Sequence, residues 1–310
     1  AIRRGPMKVP TSGTSVYETV TSSATAGTVL TTGFPVDLQM QAFRSTTGAH
    51  RFMDRLRGVS TNSTAGSISL NSTSDAAETS TGSYSLAWNN TGFQMTTSFE
   101  STSGVFWNFR RAPSFFDEVC FTQSDYTQAY THNLTVVPEM MIVKRRNNTS
   151  DWSVYSAALG NTKYLKLQDT GGEFTGGVWG NTSPTSTQFT FSGAGSPNTY
   201  VAYLFATCTG VSKVTSFTGN GSTQTINCGF TSGARFVLIK ATSTTGNWLV
   251  FDTARGMTTS TDPWLALNST AAESATTGAC TTTSVGFTVD ESKLTGVNTN
   301  GVSYIVLAVA

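Results

Sequence analysis

The chain offers little to acid–base, nucleophilic or metal chemistry: two histidines, four cysteines and 18 acidic residues in 310. His50 and His132 each lack a second histidine or a Cys/Asp cluster at the spacing a metal ion needs. Cys120, Cys208, Cys228 and Cys280 form no CxxC pair. Cys120 and Cys208 border apolar, strand-like runs, where a thiol serves as a small buried hydrophobe. Asp54 and Asp252 each precede an arginine by three residues (Arg57, Arg255), which suits an ion pair or a turn hydrogen bond better than a catalytic acid. Glu78 and Glu273 recur in matching contexts, but nothing brings either to a second carboxylate at the separation glycoside hydrolysis requires. Asp117-Glu118 and Asp290-Glu291 are sequence neighbours, so on a strand their side chains face opposite sides. No GxSxG, phosphate-binding glycine loop, dinucleotide fingerprint or calcium loop occurs. The expectation is no catalytic residue, no metal, no cofactor and no enzymatic activity. One compact basic run remains, Lys144-Arg145-Arg146, read as a ligand or subunit contact or else as a solvated strand end.

The elements that must position these residues are repeated. A 23-residue segment occurs three times in related form, as Val36 to Gly58, Pro138 to Gly160 and Ala234 to Gly256. The copies start roughly 100 residues apart, a common domain size. Each reads as strand, turn, strand: Met140-Met-Ile-Val-Lys144 and Trp152-Ser-Val-Tyr155 flank a polar turn, as do Phe236-Val-Leu-Ile239 and Trp248-Leu-Val-Phe251. In the first copy Leu38-Gln-Met-Gln-Ala-Phe43 alternates, the pattern of a strand with one wet face. His50 stands where the others carry Trp152 and Trp248, which predicts packing for it; Ser156 and Leu159 stand where the others carry the Asp and Arg. His132 is expected in a turn or local hydrogen bond.

The likeness extends beyond the segment. Leu70-Asn-Ser-Thr73 recurs as Leu267-Asn-Ser-Thr270, and each unit closes on an aromatic-rich strand. Glu118 to Thr122 with Thr127 to Leu134 reads as a further strand pair, Gly219-Asn-Gly221 as a hairpin turn, and Thr73 to Glu78 as one helical turn. Arg3-Arg-Gly-Pro6 and Arg110-Arg-Ala-Pro113 read as one joint used twice. The expected fold is all-β, three tandem homologous β-sandwich units at 1–112 (with an N-terminal joint, 1–10), 113–208 and 209–310, in contact with one another.

Charged residues make up 12% of the chain, about half the usual share, and 55 Thr and 37 Ser supply its polarity instead. This composition fits a β-rich structural or binding protein better than a mobile enzyme. A net charge of +1 gives no electrostatic footprint for nucleic acid, and no apolar run approaches the ~20 residues of a membrane-spanning helix. The Asn-x-Ser/Thr triplets at Asn62, Asn71, Asn133 and Asn268 arise by chance at this Ser/Thr content. The start Ala1-Ile-Arg-Arg, with no initiator Met or signal peptide, suggests a C-terminal portion or a processed product.

Phe109-Arg-Arg-Ala-Pro-Ser-Phe-Phe-Asp-Glu-Val119, Val137-Pro-Glu-Met-Met-Ile-Val-Lys-Arg-Arg146 and Ser153-Val-Tyr-Ser-Ala-Ala-Leu-Gly160 carry a resemblance to tailed-bacteriophage virion proteins, large tail or fibre proteins with such modules near the C-terminus. The resemblance covers nearly the whole chain and implies no catalytic residues. It implies a particle component assembled with other virion proteins in the host cytoplasm. A tail or fibre position engaging host surface glycan is the leading expectation, with a homo-oligomer, a trimer by analogy with fibres. A capsid decoration or purely architectural protein is the alternative, and a glycan depolymerase the third.

Overall fold

In a computed structural model the chain is all-β, built from antiparallel sheets. The structure describes residues 8–22, 27–58, 67–81, 86–95, 103–194 and 197–310; the expected joint at Arg3 to Pro6 lies outside them. Three six-stranded sheets share one strand order. In the middle sheet Phe116–Gln123, Asn198–Phe205, Met140–Arg145, Trp152–Ser156, Lys163–Lys166 and Phe174–Thr175 lie side by side. The first sheet repeats this with Tyr17–Ser22, Gly104–Phe109, Leu38–Phe43, Arg51–Asp54, Ser67–Asn71 and Thr79–Thr81. The third uses Ser212–Thr218, Ser303–Val309, Phe236–Ala241, Leu249–Asp252, Asp262–Ala266 and Ser274–Thr276. The registers match as well. Leu38 pairs with Asp54 and Phe109, Met140 with Ser156 and Phe205, and Phe236 with Asp252 and Val309. Asp54, Ser156 and Asp252 are therefore structural equivalents, and so are Trp107, Tyr203 and Leu307.

Each large sheet has two covered faces. Its outer face packs under a small sheet: Val29–Thr31, Gly92–Met95 and Leu86–Trp88 in the first copy, Thr127–Thr131 and Gln188–Ser192 in the second, Thr223–Asn227, Gly286–Asp290 and Cys280–Thr283 in the third. Met141, Val143 and Tyr155 meet Phe189 and Phe191 there, and Val237, Ile239 and Phe251 meet Phe287 and Val289. The inner faces of all three sheets meet one another in a single core. Met40, Phe52 and Trp107 share it with Ile142, Trp152 and Tyr203 and with Leu238, Trp248 and Leu307. Phe109 lies 5.7 Å from Phe205 and 5.7 Å from Phe236, ring centre to ring centre, so one aromatic from each sheet joins at the middle. With each buried side chain of this size contributing about 1.5–3 kcal/mol, the shared core is a major cohesive element.

Four local expectations change. Gln39 and Gln41 do not mark a wet face: both are buried, and Gln39 donates to Asn108 Oδ1 at 2.7 Å. An alternating strand reads as half-exposed only when nothing polar covers its second face. The strand from Phe116 and the strand from Thr127 do not pair with each other. The first joins the large sheet through Asn198–Phe205 and the second the small sheet through Gln188–Ser192. For the same reason Gly219-Asn-Gly221 is a corner between sheets; Gly219 sits so close to the Thr299 carbonyl that a Cβ would fall 2.2 Å from it. Thr73 to Glu78 forms no helical turn, because the Asn71 side chain accepts from Thr73 N (2.9 Å) and draws the chain into an open loop.

Candidate functional site

Polar and charged side chains concentrate at the three seams where one sheet meets the next. The seams repeat in cyclic order. The hairpin turn of each copy docks on the loop after the fifth or last-but-one strand of its neighbour: Ser150 N donates to Asp75 O, Gly246 N to Thr170 O, and Gly48 N to Thr270 O, at 2.8–2.9 Å. The second copy sits on the first, the third on the second, and the first on the third, which closes a ring. A glutamate in each loop is anchored the same way. The Glu78, Glu173 and Glu273 amides donate to the carbonyls of Arg146, Thr242 and Arg44 at 2.8, 2.7 and 2.9 Å.

The Trp position of the repeat lies on these seams. Trp152 Nε1 donates to Asn71 O at 3.0 Å and Trp248 Nε1 to Lys166 O at 2.9 Å. Both rings are fully buried, so they are anchors between copies. His50 is buried at the seam between the third and first copies, where its ring faces the Ala266 backbone, the equivalent of Asn71 and Lys166. Burial and the Arg255 charge push its pKa down to about 4, so the ring is neutral at neutral pH. His132 lies within its own copy: Nδ1 accepts from Leu134 N at 3.2 Å, which leaves Nε2 to donate to Thr185 O at 3.1 Å.

The Asp and Arg expected to form a turn pair do so, and they also reach across the seam. Asp54 accepts from Arg57 N (2.8 Å) and Arg57 Nε (2.5 Å), and Tyr203 of the next sheet donates its hydroxyl to Asp54 Oδ2 at 2.6 Å. Asp252 accepts from Arg255 N (3.0 Å) and Nε (2.6 Å), and Trp107 Nε1 donates to Asp252 Oδ2 at 2.8 Å. All these side chains are buried. At the seam between the second and third sheets the counterparts are Ser156, Leu159 and Leu307, an apolar version of the same contact. The carboxylate stands only where its neighbour presents an N–H or O–H to receive.

Glu78 and Glu273 each bind two guanidiniums. Glu78 receives Arg146 from the next copy and lies 3.5 Å from Arg57; Glu273 receives Arg44 from the next copy and Arg255 at 2.9 Å. These carboxylates are committed to holding copies together. Asp117 likewise takes Arg111 and accepts from Asn133 N at 2.7 Å, on the face opposite Glu118. Glu118 is buried on the inner side, with no hydrogen bond to either carboxylate oxygen. Burial, reinforced by Asp54 and Asp37, raises its pKa well above the ordinary carboxylate value. Adjacency to Asp117 gave no sign of this; the cue available was its place in line with the inward Phe116 and Cys120.

The basic run Lys144-Arg145-Arg146 is not a solvated strand end. Lys144 is fully buried and donates to Asp75 O (3.1 Å) and Arg145 O (2.9 Å), its amino group pushed down by burial to about 8. Lys240 occupies the same place in the third copy, donating to Thr170 O (3.1 Å), also at about 8 from burial. Arg146 reaches Glu78, and Arg145 caps its own turn through Thr149 O at 2.5 Å. Two of the three residues thus make contacts between copies inside one chain. The thiols of Cys120 and Cys228 are held up near 12, chiefly by burial, and Cys208 and Cys280 are raised by the same cause, which keeps all four as protonated packing groups. Among the described residues no group of three or more His, Cys, Asp or Glu is placed to hold a metal ion.

At the seam between the second and third copies, which lacks the polar network, a cleft opens. It has a volume of about 460 Å³, with Leu159, Lys163 and Glu173 on one wall and Phe217, Thr242 and Tyr304 on the other. Leu159 departs in sequence from Arg57 and Arg255, but the cleft it lines has no mark in the sequence.

No curated protein matches the chain. Residues 13–310 match the family described as Domain of unknown function (DUF7483), and with the match spanning nearly the whole chain, the protein belongs to that family.

Proposed function

We propose that the chain is a structural component of a tailed-bacteriophage virion, a tail or fibre part that engages the host surface. The observation that carries this reading is the commitment of polar chemistry to cohesion. The repeated carboxylates Asp54, Glu78, Asp252 and Glu273 bind arginines, tyrosine or tryptophan across seams, and the large aromatics fill cores. A closed ring of three sheets around one core is a stiff element suited to a particle exposed to the environment. The resemblance of the Phe109 to Val119 and Val137 to Arg146 segments to phage tail proteins supports the assignment.

Partners in this reading are other virion proteins and a host surface glycan. Binding would use Ser/Thr-rich loops and the exposed Tyr126 rather than a stripe of aromatics, since Trp152, Trp179 and Trp248 are buried. Homo-oligomerisation, with a trimer as the fibre-like form, would use outer surfaces, because the inner faces are occupied within the chain.

Gold-labelled antibody against the protein, imaged on intact particles, tests the proposal. Label at the tail is expected, with adsorption blocked by the same antibody. Label on the head with adsorption unaffected would replace it with a decoration role. Release of reducing sugar from host polysaccharide by the purified protein would replace it with a depolymerase.

A further inference from the structure

The chain carries its own template for what fills the cleft between the second and third sheets. At the other two seams the loop glutamate binds a guanidinium from the next copy with one geometry. Arg146 Nε donates to Glu78 Oε2 at 2.9 Å and Nη2 to Oε1 at 3.0 Å; Arg44 Nε donates to Glu273 Oε2 at 3.0 Å and Nη2 to Oε1 at 2.8 Å. Behind each glutamate stands a second arginine, Arg57 or Arg255. At the third seam the glutamate is present and anchored alike, Glu173 N on Thr242 O at 2.7 Å, but both arginines are gone: Thr242 replaces the arm of Arg44 and Arg146, and Leu159 replaces Arg57 and Arg255. Both replaced positions, Thr242 and Leu159, line the cleft of about 460 Å³ together with Glu173. Glu173 has instead a single-point contact, Lys163 Nζ on Oε1, with both side chains about one-third exposed.

We propose that this cleft is a binding site for an arginine side chain presented by a partner protein. The guanidinium takes the place of the missing Arg44-type arm, forking onto both Glu173 oxygens and displacing the Lys163 amino group, which as a point charge cannot match a two-bond fork. The aliphatic stem lies along Leu159, Phe217 and Ile305, and the hydroxyls of Thr242, Ser243 and Ser303 rim the entrance. The site depends on the local geometry and stands whether or not the protein is a virion component.

The probe is Nα-acetyl-arginine methylamide, titrated into the full chain by calorimetry or ligand-observed NMR, beside its lysine and citrulline counterparts. Arginine binding of roughly millimolar affinity is expected, at least about tenfold tighter than either counterpart. Glu173→Gln should weaken it about tenfold or more, and Lys163→Ala should strengthen it severalfold by freeing the carboxylate. Thr242→Arg restores the arm of the other two seams. It should abolish probe binding while raising the melting temperature, a pairing of outcomes that misfolding does not produce. Equal affinity for the lysine or citrulline probe, no binding by the arginine probe, or unchanged binding in a folded Thr242→Arg variant would overturn the assignment.

Discussion

Exchanging one seam for another tests whether the ring is held as described. Asp54 receives three hydrogen bonds, from Arg57 N, Arg57 Nε and the Tyr203 hydroxyl, with every side chain involved buried. Asp54→Ser leaves the Arg57 guanidinium buried, with Glu78 3.5 Å away as its remaining carboxylate, and removes the acceptor of Tyr203. Breaking a buried pair from one side costs about 3–5 kcal/mol, a large share of the ~5–15 kcal/mol by which a native fold is stable. At a urea slope near 3 kcal/mol/M this lowers the midpoint by roughly 1–1.7 M. The seam between the second and third sheets supplies the compensating set, Ser156, Leu159 and Leu307. The triple variant Asp54→Ser, Arg57→Leu, Tyr203→Leu should therefore return to within about 2 kcal/mol of the parent, because matched apolar groups replace a buried ion pair at little net cost. Equilibrium urea unfolding followed by tryptophan fluorescence measures all three states. A loss under about 1 kcal/mol for Asp54→Ser, or a triple variant as unstable as the summed singles, would refute the reasoning.

Trp152→Ala should cost about 3–5 kcal/mol, since the ring fills the shared core and caps two carbonyls of the neighbouring copy; an unchanged melting temperature would place the ring outside the core. His50 has a folded pKa of about 4 against an ordinary 6.5, so its contribution is fully present above pH 6.5 and falls by about 3 kcal/mol as pH drops to 4. His50→Trp, the residue of the other copies, should remove that slope from the difference in stability between parent and variant across this range, and a slope that persists would refute the assignment. Glu118 has the opposite sign: its raised pKa makes the folded state hold a proton, so its penalty appears as pH rises above the unfolded carboxyl value. Glu118→Gln should stabilise by about 1–3 kcal/mol at pH 7 and by little at pH 4, read from the same unfolding curves; a destabilised variant at pH 7 would show that the charge is in fact satisfied. Residues 113–208 alone should fail to give a stable monomer in size-exclusion and melting experiments, because Ile142, Trp152, Val154 and Tyr203 would be stripped of their cover.

What the sequence made legible was periodic and local. The three hairpins, their equivalence and the burial of Trp152 and Trp248 follow from runs such as Met140 to Val143 and from the recurrence of one pattern. The pairing of Phe116–Gln123 with Asn198–Phe205 was out of reach, because the partners are far apart in sequence and a strand's own residues do not name its neighbour. The burial of Gln39 and Lys144 was hidden for a related reason. A polar residue on a strand signals solvent unless something supplies its hydrogen bonds, and for Lys144 that supply comes from Asp75 of another copy. The Asp54 and Asp252 pairs were recognised as structural from their spacing to Arg57 and Arg255. Their second role, as acceptors for Tyr203 and Trp107, appears only when the sheets face each other.

The differences among the copies disfavour pairing of the second or the third copy with itself. Three identical repeats would form the same seam with any neighbour, including a copy from another chain. Here each seam is matched on both sides: Asp54 to Tyr203, Asp252 to Trp107, and Leu159 to Leu307. Pairing the second copy with itself would set the Tyr203 hydroxyl against Ser156 and Leu159 in place of a carboxylate. Pairing the third with itself would bury Asp252 and Arg255 against Leu307, with no cross-seam donor for the carboxylate. An unsatisfied buried polar group costs about 1–3 kcal/mol, and a ring of three such seams multiplies it. The same divergence removes the arginines from one seam. The cleft therefore lies at the seam whose Glu173 has partners unlike those of Glu78 and Glu273, and whatever docks there meets the chain in one orientation.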